Sequence, residues 1–395
     1  MELTIKASEV MDTESSWNEY YERRIIRIPE EARQFYNLSK DDFIYLKDNR
    51  GSHITLQVVE AFKEDVERNP MAGYVTNYIY DKLQLRDASI SNVKPVTGIT
   101  LGCDPEAFLI DGLSNNIVAA YRFMRKYGDV GHDGILIEFR PLPSTDENVV
   151  VHNIYNLIKK ARQIINAKPD GRHVRIIGRS GLQGLTAGFH LHYGLPQSLL
   201  GRSQQTRTLA SLMTRAFDYY IGVPSIIPEG DEDSIRRTLP WVDYGKPGGY
   251  RLDNRTFEYR MPGGINLRHP CLTRGLMALG AVVVEDLVSR INVSTDSFSN
   301  LSGVATEEDI REFYPNLPRI ETIYAIICNP HISPARNYFQ SIKDDVRKMV
   351  GYKQRAASIE SYFKCLDQNI QYDSNLEANW GGSVHEKQQR QMVVL

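Results

Sequence analysis

Four short segments of this 395-residue chain carry ionisable residues two positions apart: Asp104/Glu106, Glu138/Arg140, His190/His192 and Glu258/Arg260. Alternate side chains of a β-strand project from one face, so each pair would present both groups to the same side of a sheet. The histidines lie in Gly188-Phe189-His190-Leu191-His192-Tyr193-Gly194, where a glycine at either end leaves room for a ligand or a second backbone. Neutral imidazole is the commonest metal-binding side chain. Carboxylates with a histidine suit Mg²⁺ or Mn²⁺, and neighbouring arginines suit phosphate or a substrate carboxylate. Metals, phosphates and arginines on one face point to phosphoryl transfer, where positioning and charge neutralisation supply the catalysis.

Each segment also has a plainer reading. Asp104/Glu106 could be an exposed strand face, and Glu138/Arg140 and Glu258/Arg260 could be same-face ion pairs. Asp133 reads as a turn residue before it reads as a ligand. Arg236-Arg237 reads as a solvated loop pair, ahead of a flap arginine reaching a nucleotide. Four alternating pairs in one chain, flanked by Gly and Pro, favour chemistry over packing. No GxxxxGK[ST] and no GxGxxG opens a helix, which speaks against a P-loop or Rossmann nucleotide site.

The elements that must hold these residues follow from periodicity. Strands are expected over 99–110 (interrupted at Pro105, which cannot donate to a ladder), 135–139, 174–177, about the histidines, and 255–260. Asp146 to Ile165 has apolar residues at helical spacing and reads as an amphipathic core helix. Further helices are expected over 203–221 and 270–292 and through most of 306–369. Asp231 to Gly249 is long and polar for a connection, which favours a flap. The first 92 residues alternate short strands with a helical turn after Pro29, and 89–98 reads as a linker.

Composition bounds the partners. Lys+Arg 47 against Asp+Glu 49 gives a formal charge of −2, which argues against nucleic acid or an anionic membrane surface as the main partner. No basic, apolar leader pattern and no apolar run of about 18 residues appears. The four cysteines form no CxxC pair, suit reduced thiols and make no zinc site. A cytoplasmic location is expected.

A resemblance joins the four segments. Gly102-Cys103-Asp104-Pro105-Glu106-Ala107-Phe108 resembles the Gly-Pro-Glu-x-Glu-Phe-Phe strand of glutamine synthetases, with Asp104 one methylene shorter than their first Glu. Gly188-Phe189-His190-Leu191-His192 resembles their Gly-Met-His-x-His segment, and 255–262 their Arg-x-x-Glu-x-Arg-x-Pro segment. The stretch 131–138 is similar to their short Gly-Gln-x-Glu strand. Order and rough spacing match over about 98–290. The set is most similar to the phage-encoded carboxylate–amine (COOH·NH2) ligases, type 2, of that superfamily.

The resemblance implies an α+β fold, a glutamine-synthetase-like catalytic domain with a curved antiparallel sheet backed by helices; the first 92 residues, which it does not cover, read as a small β-rich domain similar to swapped-hairpin and double-psi barrels. The division would be 1–92, 98–295, a mostly helical 296–370 and a polar tail 371–395. It implies an ATP-dependent ligase forming an amide through an acyl phosphate, with two Mg²⁺ or Mn²⁺ ions. Asp104, His190 and Glu258 would hold one metal, and Glu106 and Glu138 the other, with Asp133 a candidate third ligand. Arg260, Arg251 and Arg255 would contact the γ-phosphate or acyl phosphate, and His192 would lie near the nucleotide. The partners would be a small-molecule or peptide carboxylate and an amine, a homo-oligomer being compatible. The N-terminal module would either dock a protein or be a structural appendage. Two other readings stand: a non-catalytic scaffold or virion-associated member of the fold, and a metal-dependent amide hydrolase.

Overall fold

Apolar alternation on one long strand organises the molecule. In the computed structural model, which describes residues 3–8, 25–40, 42–47, 53–82, 89–90, 99–194, 203–242, 244–252, 256–293 and 304–381, this strand is Thr100–Asp111. Its odd-numbered Leu101, Cys103, Ala107 and Leu109 enter the main core with the apolar face of helix Glu147–Asn166 and with helix Pro270–Val293. Its even-numbered face carries Asp104 and Glu106, then turns apolar at Phe108 and Ile110, which belong to a small separate cluster.

Two open sheets account for most strands. The first takes β1 (Leu3–Ala7), β2 (Ile25–Ile28), β3 (Phe43–Lys47), β4 (His53–Glu60), β5 (Ala72–Val75) and β6 (Ser89–Ile90) in the order β3-β4-β2-β5-β1-β6. The strands and the helical turn expected here are present, the turn as helix Glu30–Phe35. The expected barrel-like closure is not: among the described residues β3 and β6 end the sheet without pairing to each other. A two-residue β6, paired only to β1, leaves too short an edge to close it.

The second sheet is antiparallel throughout. With β7 (Thr100–Asp111), β8 (Ile117–Val118), β9 (Val130–Asp133), β10 (Leu136–Phe139), β11 (Val174–Ile177), β12 (Gly181–Leu182), β13 (Leu185–Thr186), β14 (Phe189–Gly194), β15 (Tyr250–Leu252) and β16 (Thr256–Tyr259), its order is β15-β16-β14-β7-β10-β9; β8 and β11 pair with the far end of β7, and β12 and β13 form a separate hairpin. Pro105 does not interrupt β7. The β14 ladder ends at the Phe189–Pro105 pair and the β10 ladder begins at Glu106, so the proline sits at the changeover, where a missing N–H costs least.

Helix Glu147–Asn166 starts at an Asp146 cap, whose carboxylate accepts from the Asn148 N–H at 2.8 Å. Helix Ser203–Phe217 runs into a π-helical turn, Asp218–Gly222. Helices Glu307–Phe313, Ile320–Ile327, Ser333–Val346 and Tyr352–Asp367 complete the helical layer. Residues 91–98 of the expected linker and 382–395 of the expected tail lie outside the described residues. Among the described residues no helix is long and apolar enough to cross a membrane.

Helices Pro270–Val293 and Tyr352–Asp367 make the most intimate helix contact: a Cβ at Gly275 would collide with the side chain of Tyr362. Gly275→Ala should therefore destabilise the fold by about 1–3 kcal/mol through overpacking. Chemical denaturation checks this, and an unchanged midpoint would mean that the two helices have room to part.

Candidate active site

Register brings the four segments together. Across β7 and β14, His190 lies opposite Asp104; across β14 and β16, His192 lies opposite Glu258; across β16 and β15, Glu258 lies opposite Arg251. On the other side of β7, Glu138 of β10 lies opposite Glu106. Directly opposed residues of an antiparallel pair share a face, so all of these groups stand on one side of the sheet. The intervening Phe189, Leu191, Tyr193, Phe257 and Tyr259 are buried in the core on the other.

Contacts centre on two carboxylates. His192 Nε2 is 2.9 Å from Asp104 Oδ1, and His190 Nδ1 is 3.6 Å from both Asp104 Oδ1 and Glu258 Oε1. Asp104, His192 and Glu258 each offer a ligand atom, all within 4.8 Å of one another. Arg251 Nε approaches Glu258 Oε2 at 2.6 Å and Arg260 Nε approaches Oε1 at 3.1 Å. Neither approach is aligned as a hydrogen bond, and both Glu258 oxygens are buried without one. A buried carboxylate in that position is costly without a further partner, so the donor set fits a divalent cation. Glu138 is engaged by Arg140, while Glu106 accepts the Gly188 N–H at 2.6 Å.

Electrostatics separates the groups. Burial works to raise Asp104, but His192, His190 and Arg140 outweigh it and hold the carboxylate at about 2. Burial drives His190 down to about 3, with Arg236, Arg260 and His192 reinforcing it against Asp104, so its imidazole is neutral at physiological pH. Burial pushes Glu106 up to about 7 against Arg236 and the Gly188 N–H, with Asp104 and Asp133 adding to the rise. Asp133 is exposed at the end of β9, on the strand position that alternation places on the same face as Gly131 and Glu138.

The expected separation of His190 as ligand from His192 as nucleotide neighbour has no counterpart in distance, because both imidazoles meet Asp104. Arg255 lies outside the described residues. The solvated reading of Arg236-Arg237 is overturned: both are buried. Arg237 donates to Glu229 at 2.7 Å and to the carbonyls of Ile327 and Asn329, pinning the 231–249 segment to the end of helix Ile320–Ile327. Arg236 turns the other way, with Nη2 at 3.5 Å from His190 Nε2 and donating to the Arg260 carbonyl at 3.0 Å.

Tyr244, in the same segment, lies under the Arg260 guanidinium at 4.1 Å and beside the His190 ring at 6.0 Å. Sequence spacing singled out neither Arg236 as a site residue nor Tyr244. For Tyr244 the signal is only the unusual length of the segment that carries it; for Arg236 it is that length together with the flap-arginine alternative to a solvated pair. Gly188 closes the floor: a Cβ there would meet His190 Nε2 at 2.5 Å and Arg236 Nη2 at 2.7 Å.

A model of the family described as Phage phiEco32-like COOH.NH2 ligase-type 2 matches residues 101–302. No curated protein matches the chain. Among solved structures, a bifunctional glutathione synthetase from Pasteurella multocida is 9% identical, with 74% of this chain and 50% of that chain covered and a TM-score of 0.41. This chain thus spans half the length of that relative. GmaS in complex with ADP is 11% identical over 100% of this chain and 97% of that one, with a TM-score of 0.42. A novel glutamine synthase homolog is 12% identical over 91% and 97%, with a TM-score of 0.33. Likenesses this distant carry no inference about the present site.

Behind the chemical face, buried Asp218 accepts from the Tyr259 hydroxyl and the Gly248 N–H, each at 2.9 Å, and so ties β16 to the loop that precedes β15. Burial pushes its carboxyl from 3.8 up to about 7, against those two hydrogen bonds and Arg215. The folded state therefore prefers the protonated form. That contribution to stability is fully present below pH 3.8 and is lost as pH rises through about 7. Melting curves should show the wild type losing stability relative to Asp218→Asn between about pH 4 and 7. A difference that does not change with pH across this interval would contradict the assignment.

Proposed function

This chain belongs to the Phage phiEco32-like COOH.NH2 ligase-type 2 family, and on that premise we propose that it uses ATP and two divalent cations to join a carboxylate to an amine through an acyl phosphate. The observation that carries this reading is the convergence of Asp104, His192 and Glu258 within ligand distance of one another, beside two arginines on the same sheet face.

Asp104 and Glu258 would hold one cation, with His192 joining His190 in the candidate ligand set. Glu106 and Glu138 would hold the other. The two carboxylates lie directly opposite on neighbouring strands, where a bound cation would take over from the Arg140 guanidinium that engages Glu138. Cations bound there would neutralise phosphate oxygens and polarise the transferred phosphoryl group.

The chain's own groups prepare the rest. Arg260, held in place by Tyr244 and with an unsatisfied buried Nε, offers positive charge to the developing acyl phosphate. Half-exposed Arg251 stands at the rim and would meet the phosphate or the entering carboxylate. Arg255 is assigned the same part on its sequence position. Neutral His190 keeps a lone pair available at neutral pH, which a ligand or hydrogen-bond acceptor requires. The segment bearing Arg236 and Tyr244 would exclude water from the acyl phosphate, so that an amine attacks and not hydroxide. Residues 98–295 would carry this chemistry, 296–370 would buttress it, and the first sheet would present or dock the acceptor.

ATP turnover with Mg²⁺ or Mn²⁺, screened over amino acids, polyamines and peptide carboxylates, tests the assignment. Glu258→Ala should lower turnover by at least ~100-fold and weaken metal binding. Absence of nucleotide binding, or undiminished turnover in Glu258→Ala, would refute it. Amide cleavage with metal and without ATP would move the same face to a hydrolase.

A further inference from the structure

Away from the chemical face, the contact between helices Pro270–Val293 and Tyr352–Asp367 brings two thiols together. Cys271 lies in the first turn of one and Cys365 in the last turn of the other, and their Sγ atoms are 2.9 Å apart across 94 residues of sequence. That is closer than ordinary van der Waals contact between unbonded atoms. The backbones are close for an independent reason: one turn further along the same contact, Gly275 has no side chain to hold Tyr362 away.

Both thiols are buried in the main core, with polar groups within reach of each sulfur. The Ser361 hydroxyl is 3.2 Å from Cys271 Sγ, and the Tyr372 hydroxyl is 3.0 Å from Cys365 Sγ. The Tyr372 ring stacks on His269 at 3.8 Å, and His269 Nδ1 accepts the Cys271 backbone N–H at 3.0 Å. None of these groups has a part in the proposed ligation chemistry.

We propose that Cys271 and Cys365 form a redox modification site that an oxidant of the peroxide class closes to a disulfide. Cys365 is the attacking sulfur: the Cys271 thiol and the Tyr372 hydroxyl both stand within hydrogen-bond reach of its Sγ and favour the thiolate against burial, with Arg274 and Lys364 adding to the effect. Its thiolate takes one peroxide oxygen, giving a sulfenic acid and hydroxide. The Cys271 sulfur then displaces the sulfenic oxygen as a second hydroxide while its thiol proton and one from solvent convert both hydroxides to water. The net change is two thiols and one peroxide to one disulfide and two waters. The cross-link would join the segment that leaves the site strand β16 to the C-terminal helices.

The full chain, reduced and freed of reductant, is treated with one equivalent of hydrogen peroxide. Intact mass should fall by two hydrogens, and a non-reducing peptide map should link the Cys271 and Cys365 peptides. The thermal midpoint should rise by several degrees and return on adding dithiothreitol. Cys365→Ser and Cys271→Ser should each abolish both changes, and a Cys103→Ser control should keep them. Should either helix variant fail to fold, the wild-type peptide map decides alone. Retention of all four alkylatable thiols, a disulfide to Cys103 or Cys328, or over-oxidation of Cys365 without cross-linking would overturn the proposal.

Discussion

The period-two geometry of β7 is the constraint on which the remaining structure depends. Its odd face must stay in the core with Leu101, Cys103, Ala107 and Leu109, and this fixes Asp104 and Glu106 on the other side. Sliding β14 by one residue against β7 would bury both imidazoles in that core and expose Phe189, Leu191 and Tyr193. The hydrophobic energy that selects the register is therefore the energy that assembles the polar face. No separate device is needed to align four segments spread over more than 150 residues of chain.

Once aligned, the face holds more charge than burial tolerates for free. It answers in three ways. Asp104 keeps its negative charge with the help of two imidazoles; Glu106 sits near its protonation point; Glu258 lies buried between two poorly aligned guanidiniums. Such unresolved partnerships mark a surface arranged for something that arrives, because a purely structural ion pair would have relaxed into direct hydrogen bonds. Arg237 and Glu229 show that relaxed state a few residues away.

Much of this was legible in the residues. Alternation and Gly/Pro punctuation gave β7, β10, β14 and β16 and the helices between them, because each buries a regular apolar stripe. What escaped reading depended on tertiary contact. Arg236 and Arg237 are adjacent, identical and embedded in a polar loop, and nothing local says that one turns to a histidine and the other to a buried glutamate. Pro105 reads as a break when its strand is taken alone; its harmlessness comes from where two ladders meet. The first sheet's open order, similarly, depends on pairings between strands far apart in sequence, which single-strand patterns do not encode. The contact of Cys271 with Cys365 was invisible for the same reason.

Gly188 carries a consequence of another kind. Its backbone is not in the left-handed region, so conformation alone would admit many residues there. Space does not: any Cβ would displace the His190 imidazole or the Arg236 guanidinium. Evolutionary drift at this position is closed by its neighbours' positions, while adjacent Phe189, facing the core, could be exchanged among large apolar residues. An engineer diversifying the strand to change the substrate would thus find a fixed point beside a tolerant one. The polar face is guarded by an atom that is missing.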